Sequence, residues 1–387
     1  MKSTSLLFGP ALVCLGLFSN RLPADPLDQW TPHSFSATNS VVLLAAVAYG
    51  NHQFVAVGDY GLVVTSPDGA TWTSHSLATN TSLLGITYGQ NQFVAVGDTG
   101  AILTSPDGIT WTNRDSGMSN SLWAVAYGNH QFVVGGDHGL VVTSPDAITW
   151  TRRDSGTSNW LWGLTYGGNQ FVAAGPGGTI LTSPDGINWT SYDGGWTNSW
   201  EGVAYGDNQF VTVNEVPWWN PWGRGEPNGI LTSPDGVTWT IRDSGTDWPL
   251  FGIAYGGNQF VAVGLGGTIV TSSDGIAWTK RAFDPTNYLF AVAYGNNTFV
   301  AVGGGTILQS GVLAPAPPAL GPVVLLANGA AQVTLTGEPG QTYPIQASTD
   351  LTHWLTLTNI TLTNGSGQFV EPTATNFPQR FYRAVLH

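Results

Sequence analysis

The side chains of this chain that could carry chemistry are carboxylates and tryptophans, and both return at fixed intervals. Ser-Pro-Asp-Gly-x-x-Trp runs from Ser66 to Trp72 and recurs ending at Trp111, Trp189 and Trp239, with an Ala147 variant ending at Trp150 and a Ser273 variant ending at Trp278. Its acids are Asp68, Asp107, Asp146, Asp185, Asp235 and Asp274. A carboxylate two residues after a serine can accept backbone N–H groups across a tight turn while the Trp packs beneath it. Copies at equivalent positions therefore read as structural staples. A second set, Asp59, Asp98 and Asp137, sits in Gly-Asp-x-Gly turns. Three acids near one mouth would suit a hard cation such as calcium. Later repeats carry Pro176, Leu265 and Gly304 instead, so ordinary turns are expected, with no metal and no cofactor.

Catalytic readings are thin. Glycoside hydrolysis requires two carboxylates about 5 to 9 Å apart across a cleft. Glu201 and its one conceivable partner, Glu215, are the pair that a polysaccharide-active hydrolase or lyase would use. A sialidase would need three arginines converging on one pocket. Arg114, Arg153 and Arg242 all begin Arg-Asp-Ser-Gly at repeat-equivalent outer positions, where they cannot converge.

The elements that must position these residues come from the repeat. An apolar run ending in Tyr-Gly recurs at Tyr49, Tyr88, Tyr127, Tyr166, Tyr205, Tyr255 and Tyr294, spaced by 39 residues except for one interval of 50. Periods near 40 residues belong to propellers and solenoids. In the second repeat, strands are expected over 83–88, 92–96, 101–104 and 111–114, separated by Gly and Asx turns. Four antiparallel strands per repeat make one propeller blade. Seven Tyr-Gly markers accompany only six Asp turns. Gln29-Trp30-Thr31-Pro32-His33-Ser34 aligns with Thr71-Trp72-Thr73-Ser74-His75-Ser76, so the N-terminal strand should complete the last blade and close the ring. Closure removes an open sheet edge. Counting back four from each Tyr gives Ala45, Leu84, Trp123, Trp162, Glu201, Phe251 and Phe290, while positions three and one before the Tyr are mostly Gly, Ala or Thr. Large and small faces are expected to interdigitate between blades. Glu201 breaks that pattern.

The irregular interval holds an insertion that includes Trp218, Trp219, Trp222 and Arg224, on the face where the inner strands begin. Loops on that face carry Trp160, Trp162, Trp196, Trp200 and Trp248. Aromatics with few convergent polar groups describe a binding surface, and stacking on carbohydrate is one use. The expected site is Glu201 and Arg224 orienting a ligand against these tryptophans. The bland alternative is that they cover the apolar top of the ring and one another.

Composition agrees with an all-β protein, with 51 Gly, 17 Trp and only 9% charged residues. Residues 1–24 read as a secretory signal, with Lys2, an apolar run too short to span a bilayer, and a small-residue exit at Ala24. The single Cys14 lies inside it, so no disulfide is expected. Cleavage would leave 9 basic against 24 acidic residues, which argues against nucleic acid or anionic lipid as partner. Residues 25–312 form the expected seven-bladed propeller and 313–320 a Pro-rich linker. Residues 321–387 read as a small β-sandwich with strands over 323–326, 332–335, 343–347, 354–358 and 381–386.

The six turns resemble the Asp-box, or BNR-type, repeats of bacterial sialidases, sortilin-type receptors and some xyloglucanases, with a box one residue shorter than usual. The fuller repeat, from Val57-Gly58-Asp59-Tyr60-Gly61 through Ser66 and Asp68 to Trp72, is similar to photosystem II assembly-factor propellers and their secreted relatives. That resemblance implies fold and carries no site residue. The tail, with Ala347-Ser348-Thr349-Asp350-Leu351-Thr352-His353-Trp354 and Phe381-Tyr382-Arg383-Ala384, resembles fibronectin-type-III-like or immunoglobulin-like modules of exported bacterial proteins. The expectation is a secreted, monomeric, non-catalytic recognition or scaffold propeller. Its partner would be a glycan or another exported protein.

Overall fold

The computed structural model describes residues 25–35, 42–77, 79–192, 194–195, 197–215, 229–281, 288–313, 318–326, 328–337, 341–362, 366–372, 376–377 and 380–385, with Glu215 described by its backbone alone. The expected secretory signal, half of the expected linker (314–317), Trp196, and the inserted Trp218, Trp219, Trp222 and Arg224 lie outside them.

The chain is all-β, and among the described residues the only elements besides strands are short 3-10 turns. Among the described residues between Trp30 and Ser310, seven four-stranded antiparallel sheets follow one another. Sheet one is Leu44–Gly50, Gln53–Gly58, Leu62–Ser66 and Thr73–Ser76, and the next five repeat its order. Sheet seven takes Leu289–Gly295, Thr298–Gly303 and Ile307–Ser310 from late in this stretch and Trp30–His33 from its beginning. Trp30 faces Ser310 and His33 faces Ile307 in that antiparallel pair.

Burial explains the apolar runs. The second strand of sheet one, with Phe54, Val55, Ala56 and Val57 fully buried, has neighbouring sheets on both faces, and a continuous apolar stretch is the sequence form of such a strand. Buried apolar clusters fill the interfaces between consecutive sheets, and one cluster joins sheets seven and one through Val300, Val302, Leu44 and Phe54. First strands likewise lie side by side, the last of them against the first. Outer strands such as Thr112–Arg114 are largely exposed.

The Tyr-Gly marker is a packing device. Tyr166 lies on Gly128 of the preceding sheet so closely that a Cβ there would sit 2.0 Å from its ring. The same contact joins Tyr88 to Gly50, and it recurs until Tyr49 covers Gly295. Each tyrosine also packs on the phenylalanine of its own second strand, as Tyr49 does on Phe54 at 4.8 Å between centroids.

A hydrogen bond between sheets accompanies this contact. The Gln53 side-chain amide donates to the carbonyl of Asp107 in the next sheet at 2.7 Å, and Gln92, Gln131, Gln170 and Gln209 repeat it. In sheet seven the equivalent position is Thr298, and Gln309 on the third strand supplies the bond to Asp68 instead. The N-terminal segment is anchored nearby. Leu27 and Trp30 are buried against sheets six and seven, and Arg281 pairs with Asp25 at 3.0 Å and Asp28 at 2.8 Å.

In the tail, Ala319–Leu320, Val324–Leu325, Ala331–Thr336 and Ser366–Glu371 form one sheet, and Thr342–Ser348, Leu355–Thr361 and Phe381–Ala384 another. Leu335, Tyr343, Ile345 and Leu362 are buried together. The sequence reading ended the linker at Leu320, whereas Ala319 and Leu320 already pair with Thr336 and Leu335. It also passed over Ser366–Glu371, whose glycine and exposed polar positions give a weak strand signal. No helix among the described residues is long and apolar enough to cross a membrane.

Candidate functional site

The seven residues four places before each Tyr share one cavity. Ala45, Leu84, Trp123, Trp162, Glu201, Phe251 and Phe290 all line a space of about 490 Å³ where the first strands meet. Their large side chains were expected to interdigitate between sheets. Backbone register explains the difference. In every one of the seven sheets but the fourth, pairing of the first and second strands slips at this place, between Leu122 and Ala124 in sheet three and between Leu250 and Gly252 in sheet six, for example. A β-bulge leaves one residue outside the ladder and re-aims its side chain. Trp123 and Phe251 occupy that extra position. Sheet five slips more broadly, between Trp200 and Val203, and Glu201 lies inside the slip.

Aromatic rings dominate the lining. Trp123 stacks with Trp160 at 6.1 Å between centroids, and Trp160 meets Trp162 edge to face at 5.8 Å. Phe251 and Phe290 approach to 5.7 Å on the adjoining sheets. The Trp123 indole donates to Asp137 at 2.7 Å, which fixes the ring. Among the described lining residues Glu201 is the only charged one, and it is half-buried.

The tryptophans named from sequence divide accordingly. Trp160, 39% exposed, and Trp162 line the cavity. Trp200 does not: it is fully buried among Val172, Ile180 and Phe210 between sheets four and five, so its ring belongs to the core and cannot meet a ligand. Trp248 is exposed on the approach to Leu250 and is not among the lining residues. Trp123, Phe251 and Phe290 were legible as a register position, and only the bulges turn that position into a lining.

The other carboxylates are engaged locally. Ser66 donates to Asp68 Oδ1 at 3.0 Å, the same oxygen accepts the N–H groups of Ala70 and Thr71 at 2.9 and 2.8 Å, and the Trp72 indole donates to the carbonyl of Gly69. Hydrogen bonds to the ionised form lower a carboxyl pKa. The backbone N–H of Asn188 brings Asp185, and that of Thr238 brings Asp235, down to about 2. Asp68, Asp107, Asp146 and Asp274 are also lowered, chiefly by the same turn amides. Asp59 accepts from Ser82, Asp98 from Ser121, and Asp137 from the Ser121 amide and Trp123. Among the described residues no group of three or more His, Cys, Asp or Glu side chains is placed to hold a metal ion. Arg114, Arg153 and Arg242 each donate to a threonine of their own sheet.

The tail contains a box that the sequence reading missed. Ser348 donates to Asp350, whose Oδ1 accepts from the Thr352 and His353 amides, and the Trp354 indole donates to the Leu351 carbonyl. Leu351 stands where the other boxes have Gly or, in one, Ala147, at φ 63°. That substitution hid the motif, although Ser-x-Asp-x-x-x-Trp was there to find.

No protein-family model and no curated protein sequence matches the chain. Solved structures do. YCF48 bound to a D1 peptide is 17% identical with a TM-score of 0.58, covering 75% of this chain and 98% of its own. YCF48 from Cyanidioschyzon merolae is 16% identical at 0.57, covering 73% and 98%. The WD40 propeller domain of Doa1 is 13% identical at 0.58, covering 73% and 95%. At such identities the likeness establishes the fold, a β-propeller.

Proposed function

We propose that this chain is a non-catalytic recognition module that holds an extended segment of another exported protein at the cavity of its ring. In this reading residues 1–24 are a secretory signal and 25–312 a seven-bladed propeller closed by its N-terminal strand. A linker at 313–320 then leads to a β-sandwich at 321–387. The observation that carries the function is the cavity itself: five aromatic side chains and one carboxylate gathered where the first strands begin, three of the aromatics placed there by bulges. Pockets lined by aromatics with a few placed polar groups are binding sites by default. YCF48 with its bound D1 peptide is a precedent for a peptide on a propeller of this fold. A hydrolase would need Glu215 opposite Glu201, and hydrolysis is not the reading proposed.

A glycan is the second reading, favoured by the exposed Trp160 indole at the rim. Panning a random-peptide library and probing a glycan array with the purified protein separates the two. Peptides should be enriched, and Trp160→Ala should weaken the enriched peptides by roughly 1–3 kcal/mol, as aromatic hot spots do. Binders that ignore Trp160→Ala, or glycans without peptides, would overturn the peptide reading.

A further inference from the structure

We propose that a cleft between sheets one and two is a second binding site, which takes an acidic sugar by its carboxylate. The cleft is separate from the cavity at the first strands, and the proposal stands or falls independently of the peptide reading.

Two neighbouring interfaces show how the cleft arises. Between sheets two and three, Met118 and Trp150 pack on an apolar cluster that includes Leu140. The residues 39 places before Met118, Leu140 and Trp150 are Thr79, Ala101 and Trp111. Two large side chains are thus replaced by small ones, and a space of about 760 Å³ opens beside Trp111. Pockets of a few hundred to about 1,000 Å³ are the usual size for small-molecule ligands.

Arg114 gives this space its charge preference. Its Nε donates to Thr104 Oγ1 at 2.9 Å, which holds the part-buried guanidinium in place. Its two terminal nitrogens have no acceptor among the described residues. A guanidinium with two parallel N–H donors to spare is matched by a carboxylate, which accepts both. Asp115, the other charged lining residue, is engaged by its own turn: its Oδ1 accepts the Gly117 amide at 2.9 Å, as Asp154 and Asp243 do from Gly156 and Gly245. Its second oxygen can accept from a ligand hydroxyl. Thr79 donates to Thr81 at 3.0 Å and accepts the Thr81 amide at 3.1 Å, so these hydroxyls are held in a fixed arrangement on the facing wall. Thr99 and Asn113 add further polar groups. An apolar acid would leave those hydroxyls and amides against hydrocarbon, and a neutral sugar would gain nothing from the Arg114 charge. A sugar bearing a carboxylate satisfies both, and the apolar face of its ring suits the Trp111 wall. On a chain of formal charge −13, an anion needs a specific local cation to be held, so Arg114 sets the selectivity.

The test is ligand-observed NMR titration of the purified full chain with cellobiuronic acid and galacturonosyl-rhamnose, against their neutral counterparts cellobiose and galactosyl-rhamnose. At least one acidic disaccharide should bind about tenfold or more tightly than its neutral counterpart, as expected for hydrogen bonds to a charged group. Arg114→Met should remove that preference, while Arg153→Met, at the equivalent place in sheet three, should leave it. Thr79→Met combined with Ala101→Leu rebuilds the filled interface of sheets two and three, and should abolish binding in a chain that still melts cooperatively. Where a variant fails to fold, acidic against neutral sugar on the unaltered protein decides alone. Equal binding of the acidic and neutral forms overturns the inference, and so does acidic-sugar binding that survives both the Arg114 and the refilled variants. Displacement of the disaccharide by acetate at equal concentration overturns the sugar and leaves only an anion site. None of these outcomes touches the peptide reading, which is decided at Trp160.

Discussion

Each box carboxylate is held ionised by the amides of the turn it closes, and this makes acid a probe of the turns. Asp185 and Asp235 fall to about 2 from an ordinary 3.8. A depressed folded-state pKa contributes stability that is complete above the unfolded value and lost as pH falls through the folded one. The melting temperature should therefore drop between about pH 4 and pH 2, and Asp185→Asn should flatten part of that drop. A single staple is modest because its amides are partly solvated. Asp107→Ala should cost roughly 1 kcal/mol in chemical denaturation. It should leave peptide affinity unchanged, and lost affinity with an intact fold would show that the box has a role in binding. The hydrogen-bonding pattern of these turns is legible from Ser-x-Asp alone, because its partners lie within three residues. The box at Asp350 shows how far that local logic extends, since Leu351 tolerates the left-handed backbone that glycine adopts in five boxes and Ala147 in a sixth.

A sheet is read from its sequence more easily than the contact between sheets. The strands of the second repeat stand within a residue or two of their expected places, because period, turns and apolar runs are all local signals. The meaning of the Tyr-Gly marker was not local. The ring of Tyr166, 38 residues on, lies where a Cβ at Gly128 would be. Gly128→Ala should overpack that contact and cost about 1–3 kcal/mol. Gly156→Ala, at φ 73° with open space around it, should cost about 1 kcal/mol from backbone strain alone. Equal losses in the two variants would refute the packing role. The cavity was hidden for a related reason. A column of large residues looks the same whether it fills a core or lines a hole, and bulges decide which.

At the scale of the whole molecule, the described strands from Trp30 to Ser310 hold together through repeated neighbour contacts, and the sheet built from both ends is the exception. Removing residues 25–35 would strip Leu27 and Trp30 from their cluster and leave Ile307–Ser310 as an open edge. That truncation should melt earlier and aggregate, as exposed edges do. A truncated chain that stays monomeric and melts with the full-length protein would sink the closure. Trp30→Ala alone should cost about 3–5 kcal/mol if its site cannot collapse. The two-ended sheet also sets the order in which the molecule can be finished. Trp30–His33 is made before the other described strands and can meet its partner only once Ile307–Ser310 has been made. Contacts so distant along the chain are slow to form, because the entropy of closing the intervening loop must be overcome before they give any return. Refolding followed by tryptophan fluorescence should accordingly end in a slow phase, and Trp30→Ala should alter that phase while the earlier ones keep their rates. Until then Ile307–Ser310 is an open edge whose partner strand is still undocked, so a chaperone guarding the molecule would be needed there rather than at any of the sheets completed before it.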